Sequence, residues 1–77
     1  MRAYVLIKVH TGEIHEAIRQ MRQVAGVKDA NITFGPYDAV ALVDGGDLNA
    51  VGQIVASGIQ PIPGVAETLT CLVIDNI

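Results

Sequence analysis

Residues 27–44 read Val-Lys-Asp-Ala-Asn-Ile-Thr-Phe-Gly-Pro-Tyr-Asp-Ala-Val-Ala-Leu-Val-Asp, and this stretch decides the fold. It contains two runs with strand-like alternation, over 27–34 and 38–44, on either side of a Gly-Pro turn. Proline suits the second position of a tight turn and cannot continue a central strand. The two runs therefore predict a β-hairpin in the middle of the chain.

The segments on either side of the hairpin have matching patterns. A β-branched run over 3–10 precedes residues 13–25, whose apolar positions recur with the spacing of an amphipathic helix. After the hairpin, Asp47 is an N-cap candidate for a second helix over 48–57, and a long apolar run covers 65–75. The order β-α-β-β-α-β predicts an α+β, ferredoxin-like sandwich, with a four-stranded antiparallel sheet and two helices on one face.

Glycines and small polar residues predict where the two helices begin and end. Gly26 suits the position after the first helix, and Gly58 is expected to end the second. Thr11 or Gly12 is expected to cap the start of the first helix. The periodicity of the second helix places Leu48 on its buried side.

Length and composition exclude several classes of protein. The 77 residues predict a single domain, 1–77, and a chain this short buries only about 60% of its unfolded surface. A net charge of −3 without a basic cluster argues against direct binding of nucleic acid. No apolar run approaches the roughly 20 residues of a membrane span, and no signal peptide is present, so we expect a cytoplasmic protein. The single cysteine cannot form a disulfide framework, and we expect no metal and no cofactor.

Both faces of the predicted sheet are apolar. Two helices cover only one face, and the other face of a soluble monomer should then be polar. We therefore predict a homodimer through the sheet faces, the alternative being long strands whose ends splay into loops. Cys71 is expected to be a small buried side chain on the helix side. The alternation places Tyr4, Leu6, Val40, Leu42, Leu72 and Ile74 on the uncovered face, and Leu69, Cys71 and Val73 on the helix side.

Few side chains have a pattern that indicates chemistry. His10 and His15 supply two metal ligands without a third, so we expect solvated histidines. The acidic residues occur singly, which leaves no pair for general acid–base catalysis, and no catalytic residue is assigned. Asp38 follows the hairpin turn, where its carboxylate can accept hydrogen bonds from an amine or from its own backbone. Thr68 and Thr70 share a strand face, where they can bind a carboxylate or simply favour a strand.

Three motifs together resemble a known family. They are Gly-Pro-Tyr-Asp at 35–38, Pro-Gly-Val at 63–65, and Thr68-x-Thr70 at the start of an apolar run. In this order they resemble the effector domain of Lrp/AsnC-type regulators, which is also called the RAM domain, for regulation of amino acid metabolism. The resemblance covers nearly the whole chain, and its specificity comes from the order and spacing of the motifs.

The resemblance implies a regulatory domain that binds a small effector, commonly an amino acid, in clefts between subunits. It implies dimers through the sheets and larger rings such as octamers. Asp38 would bind the α-amino group and backbone N–H groups near Gly35 the carboxylate. The chain begins at its first strand without a helix-turn-helix, so it resembles a stand-alone effector domain of the family, and direct binding of DNA is not expected. Such a domain would act by sensing an amino acid or by joining mixed oligomers with full-length regulators. The ligand-binding residues carried over are Gly35, Tyr37, Asp38, Thr68 and Thr70.

Two other classes of function share this predicted topology. An enzyme of the dimeric α+β barrel type would need a base such as His10 or His15, but one Phe, no Trp and few polar groups leave little to shape its pocket. A purely structural assembly module would need no ligand at all. An ACT-like amino-acid sensor has a similar topology, and the hairpin and final-strand motifs favour the Lrp/AsnC type over it. The leading prediction is an effector-binding, oligomerising regulatory domain without enzymatic activity.

Overall fold

The computed structural model describes residues 1–74 and confirms the predicted order of elements. The elements are β1 (Arg2–Val9), α1 (Ile14–Met21), β2 (Val27–Ile32), β3 (Ala39–Asp44), α2 (Leu48–Gln53) and β4 (Val65–Leu72). Helix α2 continues as a π-helix over Ile54–Ile59. The strands form one sheet in the order β2-β3-β1-β4, and every neighbouring pair is antiparallel. This is the ferredoxin-like α+β fold.

The hydrophobic core lies between one face of the sheet and the helices. Every second residue of strand β1 is buried in this core. Helix α1 packs against them through Ala17, Ile18 and Met21. Burying an aliphatic side chain contributes about 1.5–3 kcal/mol, so these contacts hold the helical layer on the sheet. The largest fully buried side chains come from both layers and are Val5, Ile7, Met21, Val43, Val51 and Ile59.

Helix α1 is shorter than its sequence pattern predicts. It ends at Met21, and the N–H groups of Gln23 and Val24 donate to carbonyls only three residues back, each at 3.1 Å. Such bonds tighten the last turn and end the α-helix. Its N-cap is Glu13, without a side-chain hydrogen bond, rather than either predicted capping residue.

The second helical segment, α2 with the π-helix that follows it, begins as predicted at Leu48 but ends later, at Ile59. The Asp47 carboxylate accepts a hydrogen bond from the Ala50 N–H at 2.8 Å, which confirms the predicted N-cap. The prediction that Gly58 ends the helix is wrong, because the π-helix passes through it. Gly58 is required there for another reason, since a Cβ at this position would collide with the Val24 side chain. The predicted burial of Leu48 is also wrong, and this residue is 57% exposed.

The predicted faces of the last strand are wrong. Ile7 on the core side of β1 pairs with Thr68, so Thr68 and every second residue after it lie on the helix side. Leu69 and Cys71 consequently lie on the uncovered face, and Cys71 is exposed rather than buried. Both alternating sets in this strand contain apolar residues such as Leu69 and Leu72. Alternation alone therefore cannot show which face of β4 is buried, whereas the pairing with β1 does.

Two strands end earlier than predicted. Strand β2 ends at Ile32, and Phe34 lies in the loop that follows with its side chain fully exposed. Strand β4 ends at Leu72, and the predicted last strand residue, Asp75, lies outside the described residues. The β2–β3 connection is thus a loop over residues 33–38, longer than the predicted turn at 35–38.

Candidate functional site

Asp38 is held firmly at the base of the hairpin loop, residues 33–38. Its backbone N–H donates to the Ile7 carbonyl at 2.9 Å, and its own carbonyl accepts from the Thr33 N–H at 2.9 Å. Its carboxylate oxygen Oδ2 accepts a hydrogen bond from the Val9 N–H at 2.8 Å. The side chain therefore continues the bonding between β1 and β3 beyond the last paired residues. Three hydrogen bonds hold the residue, one of them through its carboxylate, which gives that carboxylate a defined position for binding.

Two further contacts shape the hairpin loop. The Thr33 hydroxyl donates to the Tyr37 carbonyl at 2.7 Å and closes the loop on itself. The Lys8 ammonium lies 5.6 Å from the centre of the Tyr37 ring, within the range of a cation–π contact. Gly35 is exposed, and a Cβ added to it would meet no described residue other than its chain neighbours within 4 Å, so that side of its backbone is accessible.

A cleft of about 240 Å³ lies beside the Asp38 carboxylate, and we call it the Asp38 cleft. It opens between the end of β1, the β1–α1 turn and the end of β2. Asp38, His10, Thr11 and Thr33 give it a polar part, and aliphatic side chains form the remaining wall. The full lining comprises Val9, His10, Thr11, Gly12, Ile14, Ile32, Thr33 and Asp38.

Within one protomer, the two threonines lie apart from this cleft. Thr68 pairs with Ile7 on the side of β1 away from β3, and its hydroxyl accepts from the Gln60 Nε2 at 3.0 Å. Two strand spacings separate it from the Asp38 side of the sheet, a distance of about 10 Å. Thr70 lines a different groove of about 370 Å³, between β4 and the α2 layer. The structure thus brings Gly35, Tyr37 and Asp38 together on one loop and places the threonines elsewhere.

The face of the sheet opposite the helices is apolar and open, and we call it the uncovered face. Tyr4 and Leu69 are each 48% exposed there. Toward the β2 edge the face contains a depression of about 400 Å³, where Asp29 and Asn31 add polar groups. The apolar members of the uncovered face are Tyr4, Leu6, Val40, Leu42, Leu69 and Cys71.

The remaining candidate groups do not form a chemical site. His10 is at the Asp38 cleft, whereas His15 is an exposed residue of α1. Within residues 1–74, no three His, Cys, Asp or Glu side chains are grouped to hold a metal ion. In the same described part of the chain, no helix has the length and apolar character needed to cross a bilayer.

The comparison with known families identifies the class of this domain. The family described as the Lrp/AsnC ligand binding domain matches residues 2–77. The match spans nearly the whole chain, and this chain therefore belongs to that family, as the motifs of the hairpin and last strand suggested. No curated protein matches the chain.

Solved structures share the fold closely. The chain is similar to TTHA0845 from Thermus thermophilus, with 29% identity, a TM-score of 0.92, and coverage of 99% of this chain and 95% of that one. It is similar to FFRP-DM1, with 25% identity, a TM-score of 0.88, and coverage of 95% and 97%. It also has the fold of the transcriptional regulator NMB0573 from Neisseria meningitidis, solved as an L-Met complex. That match has 18% identity, a TM-score of 0.85, and coverage of 99% of this chain and 51% of that one.

Sequence reasoning did not find most of the cleft's lining. The contact between Asp38 and the Val9 N–H joins residues 29 positions apart, which only the pairing of β1 with β3 brings together. Thr11 and Thr33 carry no motif. The one available signal was the position of His10 and Thr11 directly after a strand that neighbours the hairpin.

Proposed function

We propose that this chain is an effector-binding regulatory domain in which Asp38 binds the α-amino group of an amino acid. The observation that carries the proposal is the fixed carboxylate at the rim of a cleft. Its Oδ2 is occupied by the Val9 N–H, and that contact leaves Oδ1 for an ammonium group. A charge-assisted hydrogen bond of this kind is stronger than one between neutral groups.

The proposed site also includes the rest of the hairpin loop and the two threonines. The accessible backbone at Gly35 suits a ligand carboxylate, and Tyr37 forms the adjoining part of the loop. Thr68 and Thr70 lie too far from Asp38 in one protomer to contact the same small ligand. We propose that a neighbouring subunit supplies them, as expected for effector clefts between subunits.

An amino acid is the effector class that the comparisons favour. The Neisseria meningitidis regulator that shares this fold was solved with L-Met. The family is defined as a ligand binding domain. We propose that effector binding modulates transcription or amino acid metabolism through partner regulators, in the cytoplasm, and we assign no catalytic residue, cofactor or direct contact with nucleic acid.

The uncovered face supports self-association as part of the same function. A contiguous apolar face of this kind on a small domain indicates an interaction surface. We propose a homodimer through these faces, with larger rings built from dimers. A purely structural assembly module is the second candidate, because the uncovered face alone would suffice for it. The two candidates differ in whether an amino acid binds.

The test of effector binding is an Asp38→Asn variant. Titration calorimetry of the wild-type chain against each of the twenty amino acids should find at least one that binds. Asparagine keeps an oxygen that accepts from the Val9 N–H, so the fold should persist while the negative charge is lost. Loss of a hydrogen bond to a charged group costs about 1.5–3 kcal/mol, and affinity should fall about 10- to 100-fold.

Asp47→Asn is the matched control for this experiment. Its carboxylate also accepts a backbone N–H at 2.8 Å, but at the start of α2, away from the Asp38 cleft. This variant should bind like the wild type. Equal affinity in the Asp38→Asn variant and the wild type would contradict the proposed role of Asp38. Absence of binding by every amino acid would leave the assembly module as the better description.

A further inference from the structure

The Asp38 cleft has a polar part and an aliphatic part, and the division indicates the kind of ligand it takes. Val9, Ile14 and Ile32 form the aliphatic part, and the last two carry the larger side chains. We propose that the cleft selects α-amino acids with an aliphatic side chain, and that Ile14 and Ile32 make this selection. The inference rests on the proposed function, because it assumes that an amino acid binds at Asp38.

The polar part of the cleft suits the α-amino and α-carboxylate groups, which all amino acids share. The Thr33 hydroxyl uses its hydrogen toward the Tyr37 carbonyl, so toward the cleft it offers only lone pairs. Asp38 and Thr33 together are therefore acceptors for an ammonium group. His10 and Thr11 also line the cleft and are potential donors to the ligand carboxylate, in addition to the backbone at Gly35.

The aliphatic side chains of the cleft are only partly covered by other residues of the protomer. Ile32 lies on the helix side of the edge strand β2, yet its side chain is 47% exposed and lies outside the buried core. Ile14 packs partly against the core and leaves one side toward the cleft. An aliphatic side chain placed there would remove apolar surface of both isoleucines from water, which is favourable.

Within the lining that one protomer supplies, charge and size favour a small aliphatic side chain. Among the described residues that line the cleft, Asp38 is the one acidic residue and none is a lysine or arginine, so with Asp38 bound to the α-amino group a charged ligand side chain finds no oppositely charged partner in this protomer. The volume of about 240 Å³ lies below the roughly 300–1,000 Å³ of sites for drug-sized ligands. A small aliphatic side chain fits this space better than an indole ring.

The decisive variant is Ile32→Thr, measured in the full chain by calorimetry with Leu, Ile, Val, Met, Ala, Ser, Glu and Lys. Threonine keeps the β-branched shape and removes apolar surface. The wild type should bind the aliphatic amino acids more tightly than Ser, Glu or Lys. In the variant, affinity for Leu, Ile, Val and Met should fall about tenfold, with little change for Ala. Ile32→Val is the milder variant and should weaken binding about fourfold at most.

Leu48→Thr is the matched control, because Leu48 is also exposed but lines the groove beside β4. It should leave every affinity unchanged. Tight binding of a polar or charged amino acid that Asp38→Asn abolishes would overturn the inference and keep the proposed function. Unchanged affinities for Leu, Ile, Val and Met in the Ile32→Thr variant would do the same. No binding of any amino acid by the wild type would overturn both.

Discussion

Asp38 links the pairing of two strands to the proposed site. Regular pairing of β1 with β3 ends at Ile7 and Ala39, and the Asp38 carboxylate provides the next acceptor, for the Val9 N–H. A smaller side chain without an acceptor would leave this N–H unsatisfied, at a cost of about 1–3 kcal/mol. Asparagine avoids that cost, so the Asp38→Asn variant separates the charge of the residue from its structural contact.

A second residue-scale feature is the surface cluster around Glu16 on α1. The Glu16 carboxylate accepts from Arg19 Nε at 2.9 Å and from Gln20 Nε2 at 3.0 Å. These hydrogen bonds, with Arg19 the larger cause, lower the pKa of Glu16 from 4.5 to about 2. The carboxylate is fully exposed, so its effect on stability is small and sensitive to salt.

We predict that Glu16→Gln reduces the acid sensitivity of the fold slightly. The lowered pKa of Glu16 means that its contribution is present above pH 4.5 and is lost as the pH falls toward about 2. The melting temperatures of the wild type and Glu16→Gln should therefore converge over that interval. Thermal unfolding at a series of pH values measures this, and titration of the Glu16 carboxyl by NMR should give a pKa well below 4.5. An ordinary pKa would contradict the contact with Arg19.

At the scale of elements, the two helical segments meet where glycine permits close approach. A Cβ at Gly58 of the π-helix would collide with Val24, which follows α1. Gly26 has a φ of 96°, which suits the turn into β2. It also lies against the Ile54 side chain of the π-helix, so it is a second position where glycine allows the two helical segments to approach closely. The π-helix therefore sits against the end of α1 at a distance that only small residues allow.

We predict that Gly58→Ala destabilises the protein by up to about 2 kcal/mol. Overpacking against the stiff Val24 side chain costs about 1–3 kcal/mol, and the higher helix propensity of alanine offsets part of it. Gly52→Ala in α2 is the control, since a Cβ there meets nothing nearby, and it should stabilise by up to about 1 kcal/mol. Urea unfolding measures both. Equal effects of the two variants would show that Val24 yields freely.

The sequence predicts a secondary-structure element well where one of its faces is clearly apolar. It fails where the pairing register of a strand determines which of its faces is buried. Alternation in β1 and the loop at 35–38 predict the strands and the hairpin, and Asp47 predicts the start of α2. The face of β4 follows from its pairing with β1 and from the register shift at Lys8 and Val9, which no local pattern contains. The sequence indicates Asp38 as a candidate from the hairpin motif, whereas the residues that line its cleft come together only through the pairing of β1 with β3.

At the scale of the whole molecule, the uncovered face is large for a chain of 77 residues. The buried core lies on one side of the sheet only, while Tyr4 and Leu69 remain 48% exposed on the other. A small domain buries little of its surface, so a partner on this face would add to its stability. Assembly and folding should therefore be coupled, with a melting temperature that rises with protein concentration.

We predict that Leu69→Asp breaks the proposed dimer. Leu69 lies directly opposite Leu6 on the uncovered face, and two-fold packing of the faces would bury the new charges without partners. The molar mass from light scattering should fall to that of a monomer. Leu48→Asp is the matched control, since Leu48 is 57% exposed on the opposite layer, and it should leave the wild-type mass unchanged. Dissociation by Leu48→Asp, with Leu69→Asp still assembled, would move the interface to the groove between α2 and β4, because a buried carboxylate disrupts only the surface that contacts the partner.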